Sequence, residues 1–518
     1  MKEDEKAQSL RERRAPLEMG GEEFRELGRR LVDRIADFLE RLPTLPVTPG
    51  ETPSAVRARL GSGPVPAEAA PSARLLDEAA DLLISHSLFN GHPRFFGYIT
   101  ASAAPIGALA DLLAASVNPN VGGWMLSPMA SEIEAQTVRW IAELIGYPTD
   151  CGGLLVSGGN MANFVAFLAA RRAKAAWDIR AEGLRERPQW TVYVSRETHT
   201  WIEKAADLFG LGTNAIRWIK TDRECRLDLD ALERQIAQDR QSGFAPLLAV
   251  GTAGTVAVGA VDPLPAIAAV CRRQGLWFHV DGAYGAPAAM LPEASADLKG
   301  LSEADSVAID PHKWLYAPVE AGCTLVRDAR RLEDAFTFHP EYYVLEGPEE
   351  EKRIHFHQWG PQNSRGFRAL KVWLALRQVG RDGYVRMIRD DIALAKALFE
   401  ACRARPDLEA VTQSLSITTF RFVPEDLRGR PDAQDYLDDL NRELLDRLQA
   451  GGEAYASNAV VNGRFLLRAC IVNFRTRLAD VEALPEIVAR LGREIDSSMR
   501  PSPLRPGGER DKAKGQAR

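Results

Sequence analysis

The sequence is poor in the features that mark several large classes of protein, such as paired cysteines and an excess of positive charge. Its 518 residues include six cysteines, and no two of them form a C-x-x-C pair, so neither a zinc finger nor a disulfide framework is indicated. Lysine and arginine number 65 against 71 aspartate and glutamate residues, which gives a formal net charge of -6. Such a balance provides no broad cationic face, and we expect no nucleic-acid partner.

A long apolar run is also missing. The most apolar stretch, Pro105–Val117, is short for a membrane span and contains Asp111. Residues 1–6 are charged and have no apolar core, so they do not resemble a secretory signal. We therefore expect no membrane partner and a cytoplasmic location, where the scattered cysteines stay reduced.

The composition does support a large core, because 45% of the residues are hydrophobic. We divide the chain into an N-terminal helical and proline-rich arm at residues 1–105, a large domain at 106–380 and a small α+β domain at 381–499. Residues 500–518 combine proline, glycine and mixed charge, which predicts a disordered tail.

The large domain shows short β-branched or aromatic runs that alternate with amphipathic helical stretches. This alternation predicts an α/β fold with a mostly parallel sheet and helices on both faces, and functional residues gather at the carboxyl ends of such strands. The predicted strands are residues 190–194, 215–219, 247–250, 276–280, 307–309 and 323–326. In the small domain we predict strands at 414–423 and 465–472 and helices at 433–448 and 483–495.

Lys313 directly follows one of these strands, within the stretch Asp-Pro-His-Lys-Trp. Most lysines are solvated surface residues. Here Pro311, Trp314 and Leu315 would partly desolvate the amine, which favours a nucleophilic lysine that forms a Schiff base.

Asp281 ends another apolar strand, where a carboxylate is costly unless it has a partner. The ring nitrogen of pyridoxal phosphate is such a partner, because a facing carboxylate keeps it protonated. The small residues Gly282, Ala283 and Gly285 would let a flat ring lie against the backbone. The alternative is an aspartate that caps the following turn.

Two further turns carry candidate residues. Residues 157–163, Ser-Gly-Gly-Asn-Met-Ala-Asn, open a predicted helix whose free N–H groups suit a single phosphate, although an ordinary turn has the same pattern. His199 lies at the next strand-to-helix turn and could stack on a planar cofactor or act structurally. His355 and His357 form an H-x-H, but no ligand set surrounds them in sequence, so we expect no metal site.

The order of these motifs resembles the group II pyridoxal-phosphate-dependent amino-acid decarboxylases, and among these it is most similar to the aromatic-L-amino-acid decarboxylases. The resemblance covers residues 22–495 and implies an aminotransferase-like large domain of fold type I with a seven-stranded sheet. It rests on the segments 92–98, 157–160, 254–255, 281–284, 311–314 and 367–373, together with His199.

The resemblance implies a role for each matching residue. Lys313 would form the Schiff base with pyridoxal 5′-phosphate, and Asp281 would pair with the pyridine nitrogen. His199 would stack on one face of the ring, and Ala283 would lie beneath the other.

At the phosphate, the resemblance implies backbone N–H groups from Gly159 and Asn160, helped by His312. It further implies a homodimer whose active site is shared across the interface. Tyr342, or Tyr343 if the register differs by one, would reach the neighbouring subunit's site and protonate the product carbon. A tyrosine there favours plain decarboxylation over aldehyde formation.

The sequence departs from the family pattern at several positions. Val256 replaces a familiar second threonine, and Asp310 stands where a neutral asparagine or serine is usual, which puts an acid near the expected phosphate. Residues 98–101 are altered on the substrate side. The same resemblance makes Ser364 an indication of a phenolic substrate.

From these observations we predict a decarboxylase that converts an L-amino acid, aromatic in our first hypothesis, to its amine and carbon dioxide. The alternatives are an acidic-amino-acid decarboxylase, an aromatic aldehyde synthase and, outside enzymes, a silent binding protein on the same fold.

Overall fold

The structure, a computed structural model, describes residues 2–185, 187–338 and 353–500. Four helices form the N-terminal part: α1 Lys2–Arg11, α2 Gly21–Arg41, α3 Pro53–Leu60 and α4 Ser72–Ser85. Helices α2 and α4 pack together, and the guanidinium of Arg34 bonds the carboxylate of Asp77 at 3.1 Å. Residues 501–518, most of the predicted disordered tail, lie outside the described residues.

A seven-stranded sheet forms the large domain. Its strands are β1 Gly152–Val156, β2 Trp190–Ser195, β3 Ile216–Ile219, β4 Ala245–Thr252, β5 Trp277–Asp281, β6 Ser306–Ile309 and β7 Gly322–Val326. The spatial order is β1-β7-β6-β5-β4-β2-β3, and β7 runs antiparallel to both of its neighbours while the other pairs are parallel. The predicted mostly parallel sheet is therefore confirmed.

Helices cover both faces of this sheet. The helices that contact its strands are α6 Pro128–Leu144, α7 Gly159–Lys174, α9 Trp201–Leu208, α10 Leu229–Gln241, α11 Leu264–Gln274 and α12 Arg330–Phe336. Two further helices of this domain are α5 Pro105–Val117 and the short α8 Ile179–Glu182. Strand β5 shows how the faces divide: Phe278 and Val280 belong to one apolar core, whereas Trp277 belongs to the other. Because side chains alternate along a strand, His279 and Asp281 share the face of Trp277. That is the face covered by α7 and α9, whose buried residues join the same core.

The small domain is built on a four-stranded antiparallel sheet in the order β10-β11-β9-β8. Its strands are β8 Leu408–Ser414, β9 Ile417–Phe422, β10 Ser457–Val461 and β11 Arg464–Cys470. Helix α13 Ala369–Arg403 is interrupted at Gly380, where φ is +67°; its first part packs in the core of the large domain, and its last part packs in the core of the small one. The other helices of the small domain are α14 Gln434–Gly451 and α15 Leu478–Met499.

The two strands predicted for this domain correspond to β9 and β11, and β8 and β10 were not predicted. Strand β10 had a readable signal. Asn462 and Gly463 form the two-residue turn between β10 and β11, with φ of +51° and +77°. Asn-Gly is a preferred pair for a hairpin turn in which both residues have positive φ.

No helix in the described ranges is both long enough and apolar enough to cross a bilayer. The apolar stretch Pro105–Val117 is instead helix α5, which packs on α13.

A buried ion pair connects three parts of the large domain. The guanidinium of Arg365 pairs with the carboxylate of Glu134 on α6, and both side chains are almost fully buried. Arg365 also donates to the carbonyl oxygens of Val121 at 2.8 Å and Leu155 at 2.6 Å, and Glu134 accepts from the N–H of Leu155 at 2.9 Å. The pair therefore ties α6, β1 and the segment that leads into α13.

We expect Arg365→Met to lower the free energy of unfolding by about 3 to 5 kcal/mol, because it leaves the carboxylate of Glu134 buried without a cation. Urea denaturation followed by tryptophan fluorescence measures the change. Arg447→Met is the matched control, since Arg447 pairs with Glu443 on an exposed helix face and its loss should barely move the midpoint. Equal midpoints for the two variants would contradict the prediction.

Candidate active site

The carboxyl ends of the parallel strands and the start of α7 enclose a cleft of about 340 Å³. All the predicted site residues that the structure describes line this one cleft: Gly159, Asn160, His199, Asp281, Ala283, His312 and Lys313. The predicted Tyr342 and its neighbour Tyr343 lie outside the described residues. Residues separated by more than 150 positions in sequence are thus brought to one edge of the sheet, as expected for an α/β fold.

Lys313 lies in the turn that follows β6. Its Nζ is 3.0 Å from Oδ2 of Asp310, and its side chain is largely buried, with 22% of its surface exposed. The contact with Asp310 holds the amine of this largely buried lysine in the cleft.

The residues after Lys313 are held in place by Asp391 on α13. Trp314 Nε1 and the hydroxyl of Tyr316 both donate to Oδ2 of Asp391, at 2.8 Å and 2.6 Å. Burial raises the pKa of Asp391 to about 7, against which the two donors act. The ring of Trp314 also stacks on Tyr284, with ring centroids 4.9 Å apart. Asp391 on α13 therefore holds the turn that carries Lys313. No motif in the sequence indicated this residue.

Asp281 ends β5 with its carboxylate buried and bonded on both oxygens. Trp201 Nε1 donates to Oδ2 at 2.8 Å, and the N–H of Ala283 donates to Oδ1 at 3.2 Å. The bond to Ala283 is the turn cap that we considered as an alternative. The same carboxylate also lines the cleft, and its two hydrogen bonds leave lone pairs that can accept a further donor there.

A buried polar network lies behind Asp281. His279 Nε2 is 2.7 Å from Oδ1 of Asn163, and His279 Nδ1 is 2.8 Å from Oγ of Ser306. Asn163 Nδ2 donates to the carbonyl of Gly159 at 2.9 Å, and Trp277 Nε1 donates to Oγ of Ser306 at 2.8 Å. These partners require Nε2 of His279 to carry the proton and Nδ1 to accept from the serine hydroxyl.

The network therefore holds His279 uncharged, and burial lowers its pKa to about 4. Because Asn163 and Gly159 belong to the first turn of α7, the network fixes the start of that helix to strands β5 and β6. The ring of His279 also meets that of Trp201 edge-on, with centroids 5.6 Å apart.

His199 follows β2 and faces the same cleft. Its Nδ1 accepts the N–H of Trp201 at 3.3 Å, which leaves Nε2 to carry the proton in the neutral ring. Burial lowers the pKa of His199, although the carboxylate of Asp281 opposes the shift. A neutral imidazole at this position suits stacking on a flat ring.

The start of α7 forms the other end of the cleft. Its N-cap, Gly158, has φ of +99° and offers no side chain to the helix N–H groups, so those donors remain free for an anion. A Cβ on Gly322 would lie 2.6 Å from backbone atoms of Gly158, so the close approach of β7 requires glycine. Nδ1 of His312 donates to the carbonyl of Ala321 at 2.7 Å, which orients its ring beside this end.

The donor set fits a flat, phosphate-bearing pyridine ring. A buried carboxylate at one end suits a protonated ring nitrogen, the uncapped helix suits a phosphate, and Lys313 lies in the same cleft.

Twelve of the nineteen cleft residues were not among the predicted site residues, and four of these lie outside every motif named in the sequence: Glu197, Thr252, Val319 and Glu320. Burial raises the pKa of Glu197, and no ion pair or hydrogen bond to its carboxylate is found among the described residues. Glu320 accepts from Nε of Arg368 at 2.6 Å. Their roles depend on which residues the fold places opposite them, and no local pattern in the sequence indicates this.

Comparisons with known proteins found related sequences and related structures for the chain. Residues 56–423 match the pyridoxal-dependent decarboxylase conserved domain. An aromatic-L-amino-acid decarboxylase from Bacillus atrophaeus is 33% identical over 488 residues, 93% of this chain and 98% of that protein. Tyrosine decarboxylase 2 from Arabidopsis thaliana is 31% identical over 463 residues, 87% of this chain and 83% of that protein.

The solved structures show the same relationship. The structure of Oryza sativa TDC with PLP and tryptamine superposes with a TM-score of 0.86 at 28% identity, and covers 93% of this chain and 100% of that one.

The buried neutral state of His279 predicts a pH dependence of stability. The unfolded chain protonates histidine near its ordinary pKa of about 6.5, whereas the folded protein resists protonation down to about 4. The stability that this group contributes is therefore present above about pH 6.5 and lost as the pH falls toward 4, with a total of roughly 3 kcal/mol.

Between pH 7 and pH 4, the free energy of unfolding of His279→Gln should fall by about 3 kcal/mol less than that of the unaltered protein, because glutamine does not titrate. Urea midpoints at several pH values measure this. His86→Gln, at a partly exposed histidine, controls for removal of a histidine elsewhere. Parallel stability curves for His279→Gln and the unaltered protein would show that the network does not hold the ring neutral.

Proposed function

Because this chain belongs to the pyridoxal-dependent decarboxylase family, we propose that it decarboxylates an aromatic L-amino acid to the corresponding amine and carbon dioxide. Family membership makes it a carboxy-lyase that acts on an amino acid with pyridoxal 5′-phosphate as cofactor. The observation that carries the proposal is the cleft itself, in which Lys313, Asp281, His199 and the uncapped start of α7 meet.

When bound, the cofactor supplies an electron sink for the electron pair left at the α-carbon as carbon dioxide departs. In the proposed assignment, the amine of Lys313 would hold the cofactor covalently. Asp281 would keep the ring nitrogen protonated, and the bonds from Trp201 and Ala283 hold its carboxylate in place. His199 and Ala283 would contact the two faces of the ring.

At the opposite end, the N–H groups of Gly159 and Asn160 would bind the phosphate, and His312 would assist them. The network from Asn163 through His279 links this helix start to β5, so the two ends of the cleft keep a constant separation. The proton donor to the product carbon is assigned to Tyr342, or to Tyr343, from a neighbouring subunit. Both lie outside the described residues.

The cleft wall supports an aromatic over an acidic substrate. Ile99, Val256 and Val319 contribute apolar surface, and the carboxylate of Glu197, which has no cationic partner among the described residues, would repel a second acid on the substrate. Among the described residues that line the cleft, the basic side chains are Lys313, His199 and His312, which are assigned to the cofactor. The aromatic substrate named for the Bacillus relative and the tyrosine named for the Arabidopsis relative agree with this choice.

Incubation of the purified, cofactor-loaded protein with aromatic, acidic and other amino acids, including DOPA, tests the proposal directly. We expect carbon dioxide and an equal amount of amine from an aromatic substrate, without the ammonia or peroxide that aldehyde formation would release. Turnover confined to glutamate, aspartate or cysteine sulfinate would refute the aromatic assignment.

Lys313→Ala should lower turnover by more than about a thousandfold, which corresponds to about 4 kcal/mol of lost barrier reduction, because the covalent anchor is gone. The absorbance of the cofactor bound to lysine should disappear with it. Lys299→Ala, at an exposed lysine, is the matched control and should keep both signals. Normal turnover by Lys313→Ala would overturn the assignment of this residue.

We further propose that the enzyme is a homodimer in the cytoplasm with an active site shared between subunits. Helix α5 exposes Leu109, Leu112, Leu113 and Val117, each with about half or more of its surface accessible. Met125, Leu126 and Met129 are also exposed close by in the chain. An exposed apolar helix face of this kind usually marks an interface between proteins.

Sedimentation equilibrium should therefore give about twice the 57.0 kDa of one chain. A Leu112→Glu, Leu113→Glu double variant should sediment as a monomer, because it buries two charges at the proposed interface. Val460→Glu, at an exposed apolar residue on the small sheet, should remain a dimer. A dimer that survives the double substitution would place the interface elsewhere.

A further inference from the structure

Asp310 is a buried acid next to the proposed catalytic lysine. Its side chain is 2% exposed, and its Oδ2 is 3.0 Å from Nζ of Lys313 and 3.8 Å from Nε2 of His312. Oδ1 is also buried, and it has no hydrogen-bond partner among the residues that the structure describes. Since an unbonded buried carboxylate oxygen is unfavourable, the position calls for an explanation.

The carboxylate of Asp310 lies against the first residue of α7. A Cβ on Gly159 would lie 2.7 Å from Oδ2 and 3.4 Å from Oδ1. Because this helix has no side-chain cap, its N-terminal N–H groups and its dipole favour any anion that comes near. The acid therefore lies beside the helix start where the cofactor's phosphate is proposed to bind, so a bound phosphate would have a second anion next to it.

We propose that Asp310 is a positioning residue with two opposed effects: it holds the ammonium of Lys313 by an ion pair, and it weakens phosphate binding at the start of α7. The inference rests on the proposed assignment of Lys313 and α7 to the cofactor. Whenever the lysine is not bound to the cofactor, the ion pair with Asp310 retains its amine in the cleft. The same negative charge makes the enzyme release its cofactor more readily than a neutral residue at this position would.

The groups that surround Asp310 support these two opposed effects. Nζ of Lys313 and the ring of His312 approach it from its own turn, and the backbone of Gly159 at the start of α7 lies against it from the neighbouring helix. Asp281, the other buried carboxylate of the cleft, is occupied by Trp201 and Ala283. Removing the charge at 310 should therefore change the phosphate end of the cleft and leave the ring-nitrogen end intact.

The test is cofactor retention by the full-length holoenzyme. Asp310→Asn keeps the shape of the side chain and removes its charge. We expect this variant to lose pyridoxal 5′-phosphate about tenfold more slowly on dilution, and to bind it about tenfold more tightly on reloading, a change of about 1.4 kcal/mol. Binding of pyridoxal, which lacks the phosphate, should change less than twofold.

Asp281→Asn is the matched control, because it removes one charge from the same cleft at the opposite end. It should lose affinity for pyridoxal 5′-phosphate rather than gain it. Asp310→Ser provides the same neutralisation if the asparagine variant does not fold, and thermal unfolding of each cofactor-free chain verifies folding.

Unchanged or faster loss of pyridoxal 5′-phosphate from the neutral variants would overturn the inference, and so would an equal gain for pyridoxal. These readouts need no substrate, so they separate the inference from the proposed function. An unaltered protein that binds the cofactor but releases no carbon dioxide from any amino acid would refute only the proposed function.

Discussion

The carboxylate of Asp281 is buried at the end of a central strand, and its hydrogen-bond partners come from other elements of the large domain. Trp201 donates from α9, and Ala283 donates from the turn that follows β5. Because a buried charge without partners is strongly unfavourable, α9 and this turn must pack in one arrangement relative to β5. This single arrangement gives the cleft beside Asp281 a defined set of polar groups.

Further buried polar contacts extend this order outward. His279, two residues before Asp281 on the same strand face, links β5 to the start of α7 through Asn163. Asp391 braces the turn that carries Lys313, and the pair of Arg365 with Glu134 joins α6 to β1. Each contact connects a cleft element to a part of the chain that is distant in sequence. The positions of the proposed cofactor residues therefore depend on the packing of the whole domain.

Much of the fold and site could be predicted because the relevant signals are local. The turn that carries Lys313, the strand that ends at Asp281 and the glycines before α7 are each visible within a few residues. In the small domain, β8 escaped prediction because polar residues interrupt its apolar pattern. Strand β10 escaped although Asn462 and Gly463 gave a usable hairpin signal. The contact of Trp314 with Asp391 spans 77 positions and that of Arg365 with Glu134 spans 231, so no local pattern could have predicted either.

The α/β class and the candidate cleft residues could be predicted without a structure, because strand and helix periodicity and short turn motifs depend on neighbouring residues. The order of those motifs carries the resemblance that implies the cofactor. The partners of the cleft residues depend on the tertiary structure. It placed Asp310 on the helix start beside Lys313, held His279 neutral, and lined the cleft with Glu197 and Glu320. Burial and charge are properties of the packed chain, since they depend on every element that surrounds a side chain and excludes water from it.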